Sequence, residues 1–218
     1  MLNRLLARLS LGARREFRLG RRHTYPYMYR PAQLCFLAGE AERTDPLAGS
    51  IVEVGCAFGA TTVLLDRHLS DIGSDKRYYA IDTFSGFTPE DVAVERDSGR
   101  GTDYFPYFRR NSKRSFERTM ESNGVRRVTA IETDVKRFDF TTIGPFSFCL
   151  IDVDLYQPVL ATLNAVWDLM TPGGEIVVDD CDAVDPRWRG SYEAYAEFLT
   201  DKGLPKDIRH TKLGVIQR

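Results

Sequence analysis

Two apolar runs constrain this chain more than any other feature. Leu150-Ile151-Asp152-Val153-Asp154-Leu155-Tyr156 and, twenty-odd residues later, Val177-Val178-Asp179-Asp180 each pass from aliphatic side chains straight into paired carboxylates. Continuous runs of Val, Ile and Leu mark parallel strands covered on both faces. The carboxyl ends of such strands open into the ligand crevice of an α/β sheet. Asp152 and Asp154 are two apart, so an extended backbone points both to one side. Four aspartates at one sheet edge repel one another unless positive charge lies among them. A hard divalent cation is the simplest source.

Around these runs, short apolar segments alternate with helical ones, which predicts βαβ units. Strands are expected at Ile51–Gly55, Tyr78–Asp82, Val128–Thr133, Phe146–Val153 and Glu175–Asp180. Helices are expected at Thr61–Leu69, Arg109–Ser122, Val159–Met170 and Ser191–Asp201, with a Pro172-Gly173-Gly174 turn dividing helix from strand. Asp207–Thr211 and Leu213–Gln217 are joined by too little chain for a crossover helix, so they form an antiparallel hairpin at the sheet edge. The expected fold is therefore α/β and Rossmann-like: a mostly parallel seven-stranded sheet, helices on both faces and a C-terminal antiparallel hairpin. Five parallel strands closed by a hairpin are the layout of class I methyltransferases rather than dehydrogenases. Residues 1–45 read as a helical, Tyr-rich cap, helical from Pro31, and residues 46–218 as the methyltransferase domain. Residues 83–108 fit no strand–helix unit. They carry the aromatic cluster Tyr104-Phe105-Pro106-Tyr107-Phe108 and read as a lid insertion.

The first strand ends Glu53-Val54-Gly55-Cys56-Ala57-Phe58-Gly59, with Thr61 entering a helix. Glycines let the backbone turn sharply and a ligand approach closely. The full G-x-G-x-x-G spacing of a pyrophosphate site is missing. An acid before a loose glycine turn suits a ligand with a cationic amino group and no phosphate, such as S-adenosylmethionine. Asp82, 27 residues beyond Gly55, stands where a carboxylate hydrogen-bonds ribose hydroxyls. Asp134, at the end of the third strand, reads either as an adenine contact or as a cap for the turn that follows.

The stretches Glu53–Gly59, Asp82-Thr83-Phe84-Ser85-Gly86-Phe87, Ile151–Tyr156 and Pro172–Asp180 together resemble the macrocin O-methyltransferase family, which includes the mycinamicin and novobiocin sugar methyltransferases. The resemblance runs from about Tyr25 to Phe198. It implies S-adenosylmethionine-dependent, Mg²⁺-dependent methylation of a sugar hydroxyl. On that basis Asp152, Asp179 and Asp180 match the metal ligands and Asp154 the general base. Glu53, Gly55 and Asp82 match cofactor positions. The expected cofactor contacts extend to Cys56, Ala57, Phe58, Gly59, Thr61, Thr83, Phe84, Asp134 and Asp152. Cys-Ala-Phe stands where better-known members carry a Val-Trp-Arg-type stretch.

Composition limits the alternatives. Thirty basic against 31 acidic residues leave a net charge of −1, so nucleic acid is not an expected partner. No apolar run approaches the roughly 20 residues of a membrane span. Cys35, Cys56, Cys149 and Cys181 lack CxxC spacing and fit a reduced, cytoplasmic protein. Residues 1–22 hold seven Arg and one Glu, with Leu2, Leu5, Leu6 and Leu9 at helical spacing. That stripe packs on the domain or a subunit, or lies on an anionic membrane. A small-molecule sugar or glycoside acceptor and a homo-oligomer are the expected partners. Two other readings stand beside this one: methylation of a catechol or other phenol, and a non-catalytic nucleotide-binding module docking through the Arg-rich segment. Tyr156 is expected to support the acids and His68 to lie on a solvated helix face, while His23 reads either as an acceptor contact or, as is commoner, a satisfied or exposed histidine.

Overall fold

The computed structural model describes residues 25–100, 108–184 and 187–218. The predicted Arg-rich stripe, His23 and all of the 104–108 cluster except Phe108 lie outside the described residues. A seven-stranded sheet runs in the order β3-β2-β1-β4-β5-β7-β6. Its strands are β1 (Ser50–Val54), β2 (Tyr78–Asp82), β3 (Val128–Glu132), β4 (Phe146–Ile151), β5 (Met170–Val178), β6 (Ile208–Arg209) and β7 (Leu213–Gln217). β1 through β5 pair in parallel, whereas β7 runs antiparallel to both β5 and β6. This is the expected Rossmann-like sheet. The helices are α1 (Pro31–Arg43), α2 (Ala60–Asp71), α3 (Pro89–Asp97), α4 (Lys113–Ser122), α5 (Tyr156–Trp167) and α6 (Arg189–Lys202).

The period of two in the strands sorts the core into two layers. Val52, Val54, Cys149, Ile151, Ile176 and Val178 face α5 and α6, packing on Val159, Leu163, Val166 and Phe198. Their neighbours Ile51, Phe148, Leu150 and Val177 face the other way, onto Leu34 and Leu37 of α1 and Leu65 and Leu69 of α2. Helices therefore cover both faces. β1, β4 and the second half of β5 run nearly unbroken in apolar residues because their side chains, up or down, are buried.

Three expectations need correction. Pro172-Gly173-Gly174 is not a helix–strand turn. α5 stops at Trp167, and β5 already pairs at Met170 with Phe146, the glycines forming an irregularity before pairing resumes at Glu175. α5 also starts earlier than predicted, at Tyr156, because Pro158 falls within the first turn, where a missing N–H costs nothing. The 83–108 insertion is not irregular throughout, since it contains α3. Thr88 caps this helix, accepting from the Asp91 amide, and Pro89 opens it.

The order β2-β1-β4 places a topological switch between β1 and β4. In open α/β sheets the ligand crevice lies outside the carboxyl ends at such a point.

Candidate functional site

A cavity of about 720 Å³ opens at that switch point. Its size lies within the range of small-molecule sites. It is lined by Glu53, Gly55, Cys56, Ala57, Phe58 and Thr61 from the first turn, by Asp82 and Thr83 after β2, by Asp134, and by Asp152, Asp154, Asp179 and Asp180. All but two of the predicted site residues thus meet in one space. The exceptions are Gly59 and Phe84, which stand behind the wall. Phe84 packs on Phe116 at a ring separation of 5.3 Å, and a Cβ on Gly59 would meet Met120 at 2.4 Å. Their backbones shape the turn while their faces point into the α2–α4 packing.

Gly55 shows why the turn needs glycine. Its φ is +89°, and a Cβ there would come within 1.8 Å of the Asp152 carbonyl oxygen. The chain leaving β1 therefore rests directly on the chain leaving β4. Asp82 ties the turn down from the side, accepting from the amides of Ala57 at 2.8 Å and Phe84 at 2.7 Å. Burial raises its carboxyl despite these bonds. Glu53 lies on the floor, where its Oε2 accepts from the hydroxyls of Thr62 at 2.6 Å and Tyr78 at 2.7 Å. Burial pushes it up to about 7. Asp134 accepts from the Lys136 amide at 3.0 Å, so it caps the Val135–Arg137 turn while also lining the cavity.

The four aspartates converge as their spacing requires. The Asp152 amide bonds the Val54 carbonyl, and the Asp179 amide bonds that of Ile151, which sets the ends of β1, β4 and β5 side by side. Asp154 and Asp180 have φ of +63° and +57°. Left-handed aspartates are uncommon, and such backbone tends to gather where function demands it. Burial, then the neighbouring Asp180, lifts Asp152 to about 6. Burial and the other carboxylates hold Asp154 and Asp179 well above the usual range.

Two residues that the sequence did not single out complete the cluster. The Tyr29 hydroxyl, from the segment leading into α1, donates to Asp152 Oδ2 at 2.7 Å. The Lys212 ammonium, from the turn before β7, bonds Asp179 Oδ2 at 2.7 Å and Asp180 Oδ1 at 2.9 Å. It also lies 4.9 Å from the centre of the Tyr29 ring. Burial alone would lower its pKa, but the three acids raise it. Tyr156, expected to support the acids, instead donates to Glu197 on α6 and lies under the Arg100 guanidinium, 4.4 Å from its ring centre. It starts α5, and this turns its ring away from the crevice. Asp182 accepts from the Val184 amide, a turn cap. His68 bonds Glu42 and links α2 to α1.

Across the cavity from the glycine turn stands an aromatic wall. Phe87 meets Phe108 edge-on at 5.8 Å and Trp188 at 6.3 Å, and Met28 and Tyr29 close the side toward α1.

Residues 52–181 match a family described as a methyltransferase domain. The chain belongs to that methyltransferase family. Among solved structures, the O-methyltransferase NovP superposes with a TM-score of 0.76 at 19% identity, covering 89% of this chain and 83% of that one. The calicheamicin methyltransferase CalS11 gives 0.66 at 20% identity, covering 86% and 80%. An O-methyltransferase from Bacillus cereus, in complex with SAH, gives 0.54 at 18% identity, covering 89% and 84%. No curated protein matches the sequence. Among the described residues no helix is long and apolar enough to cross a membrane.

Proposed function

We propose that this methyltransferase transfers a methyl group from S-adenosylmethionine to a hydroxyl of a sugar or glycoside. One observation carries the reading. Asp152 and Asp154, at the end of β4, share one cavity with the glycine turn, Glu53 and Asp82.

The residues present fit the cofactor. Glu53 offers a carboxylate to a cationic amino group, and Gly55 leaves its backbone open to a close approach. Each Asp82 oxygen holds one amide, and a carboxylate oxygen has a second lone pair for a ribose hydroxyl. Bound there, S-adenosylmethionine supplies a methyl activated by its sulfonium. Asp154 takes the proton of the acceptor hydroxyl as the new C–O bond forms. A carboxylate held above its usual range by its surroundings is the stronger base. Phe87, Phe108 and Trp188 present flat faces to the acceptor and keep water from the reacting oxygen. Holding that oxygen in line with the methyl group supplies much of the remaining acceleration. That relatives of similar fold include CalS11, described as a TDP-rhamnose 3'-O-methyltransferase, supports a sugar acceptor.

The Mg²⁺ implied by the family resemblance does not fit this arrangement. Asp152, Asp179 and Asp180 would be its donors, and Asp179 Oδ1 is buried without a partner. Yet the Lys212 ammonium is already bonded to two of the three acids. A dication bound there would have to displace the ammonium from Asp179 and Asp180 or lie beside its like charge.

The test is radiolabelled methyl transfer to matched panels of glycosides and catechols. Turnover confined to glycosides supports the reading. Turnover on catechols alone replaces the acceptor class, and methyl transfer to neither removes it.

A further inference from the structure

We infer that Lys212 is the resident cation of the acid cluster, standing where a divalent metal would stand, so that this methyltransferase site works without bound metal. This rests on the function proposed above only for what the site is used for; the occupancy itself is argued from charge and geometry.

Four carboxylates meet at the ends of β4 and β5, and among the described residues Lys212 is the cation in contact with them. Its ammonium satisfies three directions at once: Asp179 Oδ2 at 2.7 Å, Asp180 Oδ1 at 2.9 Å and the face of Tyr29 at 4.9 Å. An ammonium has three donor hydrogens, and an aromatic face accepts a cation. The placement is built into the backbone. β7 pairs antiparallel with β5, Gly214 opposite Val178, and the Cys181 amide bonds the Lys212 carbonyl at 2.7 Å. Residue 212 is thus locked beside Asp179 and Asp180 whatever its side chain does. Gly214 has no room for a side chain, since a Cβ there would meet Cys181 Sγ at 2.7 Å and the Tyr195 ring at 2.8 Å, which keeps the strand tight against β5. The side chain is mostly covered, 21% exposed, and the two acids it holds are 4% and 11% exposed. Lys212 holds Asp179 and Asp180 in place and offsets one of their two charges, Tyr29 holds Asp152, and Asp154 is the acid that neither of them binds. Lys212 is a positioning residue: it fixes its two partners and the field around Asp154, and touches no reacting atom.

The experiment follows Mn²⁺ binding by electron paramagnetic resonance on the full chain, with S-adenosylhomocysteine binding by calorimetry on the same preparations. The wild type should take up no Mn²⁺ into the millimolar range, and EDTA should leave its S-adenosylhomocysteine affinity unchanged. Lys212→Met opens the gap and should bind one Mn²⁺ at least about tenfold more tightly than wild type, whereas Lys212→Arg, which keeps the charge, should behave as wild type. One Mn²⁺ bound to the wild type at micromolar concentration and displaced by Mg²⁺ overturns the inference. So does a folded Lys212→Met that binds Mn²⁺ no better than wild type. Should Lys212→Met not fold, the wild-type titration and Lys212→Gln decide in its place. Loss of S-adenosylhomocysteine binding in the wild type would count against the methyltransferase reading alone, because the Mn²⁺ titration reads Lys212 independently.

Discussion

Replacing Glu53 by Gln should stabilise the empty protein while weakening its hold on the cofactor. Glu53 is 2% exposed, and burial raises its carboxyl from 4.5 to about 7. Between those pH values the folded chain retains a proton that the unfolded chain has released, so raising the pH favours unfolding. At about 1.4 kcal/mol per pH unit, the fold loses about 3 kcal/mol by the time the pH passes 7. Gln does not titrate, and its carbonyl oxygen still accepts from Thr62 and Tyr78. The variant should therefore gain up to about 3 kcal/mol at pH 8, a rise of about 6–12 °C in Tm for a chain of this size. Below about pH 4.5, where both states are protonated, the gain should vanish. The same change removes the negative charge offered to the ligand's amino group. A hydrogen bond to a charged group contributes about 1.5–3 kcal/mol, so S-adenosylhomocysteine should bind about 10- to 150-fold more weakly. Thermal unfolding across pH 4–8 and calorimetry at pH 8 measure both effects. A Tm difference that does not vary with pH would refute the burial argument, and an unchanged affinity would remove Glu53 from the cofactor site.

Other predictions concern the remaining parts of the cavity. Asp154→Asn should lower turnover by about 10²- to 10⁴-fold with S-adenosylhomocysteine affinity intact, and a wild-type rate would rule Asp154 out as the base. Gly55→Ala, which forces a Cβ into the Asp152 carbonyl, should destabilise the fold by more than about 3 kcal/mol in urea denaturation, and a neutral result would mean that the two chain ends are not in contact. Methyl transfer should fall as the pH drops and Asp154, held above the usual carboxylate range, takes up a proton, and a rate that does not change from pH 5 to 8 would contradict the titration assigned to that base. Tyr29→Phe removes the hydroxyl that favours ionised Asp152 and should raise that carboxyl by about one pH unit, as read from an NMR titration of Asp152; an unmoved titration would mean that the hydrogen bond is not formed.

The centre of the sheet is legible in the sequence because β1, β4 and the end of β5 are buried on both faces. Tyr78–Asp82 has the predicted bounds, and the other parallel strands except β5 differ at their ends by a residue or two. β5 and α5 depart from their predicted bounds for one reason: proline and glycine read as stops in the sequence, whereas Pro158 lies in a helix's first turn and Pro172-Gly173-Gly174 within a strand. The convergence of Asp152, Asp154, Asp179 and Asp180 followed from two strand ends. The partners of those acids did not. Tyr29 lies 123 residues from Asp152, and Lys212 lies 33 from Asp179, each on an element whose local pattern carries no sign of the contact. A charge balance for the strand ends asks for a cation; only the sheet order, with β7 against β5, shows that a side chain is there to provide one.

The seam between Gly55 and Asp152 has one more implication. With backbone touching backbone, no rotamer or spacer stands between the glycine turn after β1 and the aspartates after β4, and any shift in one strand end is passed undamped to the other. Under the proposed reading, acceptor choice is open to change at the far rim, where Met28, Phe87 and Trp188 line the cavity away from this joint.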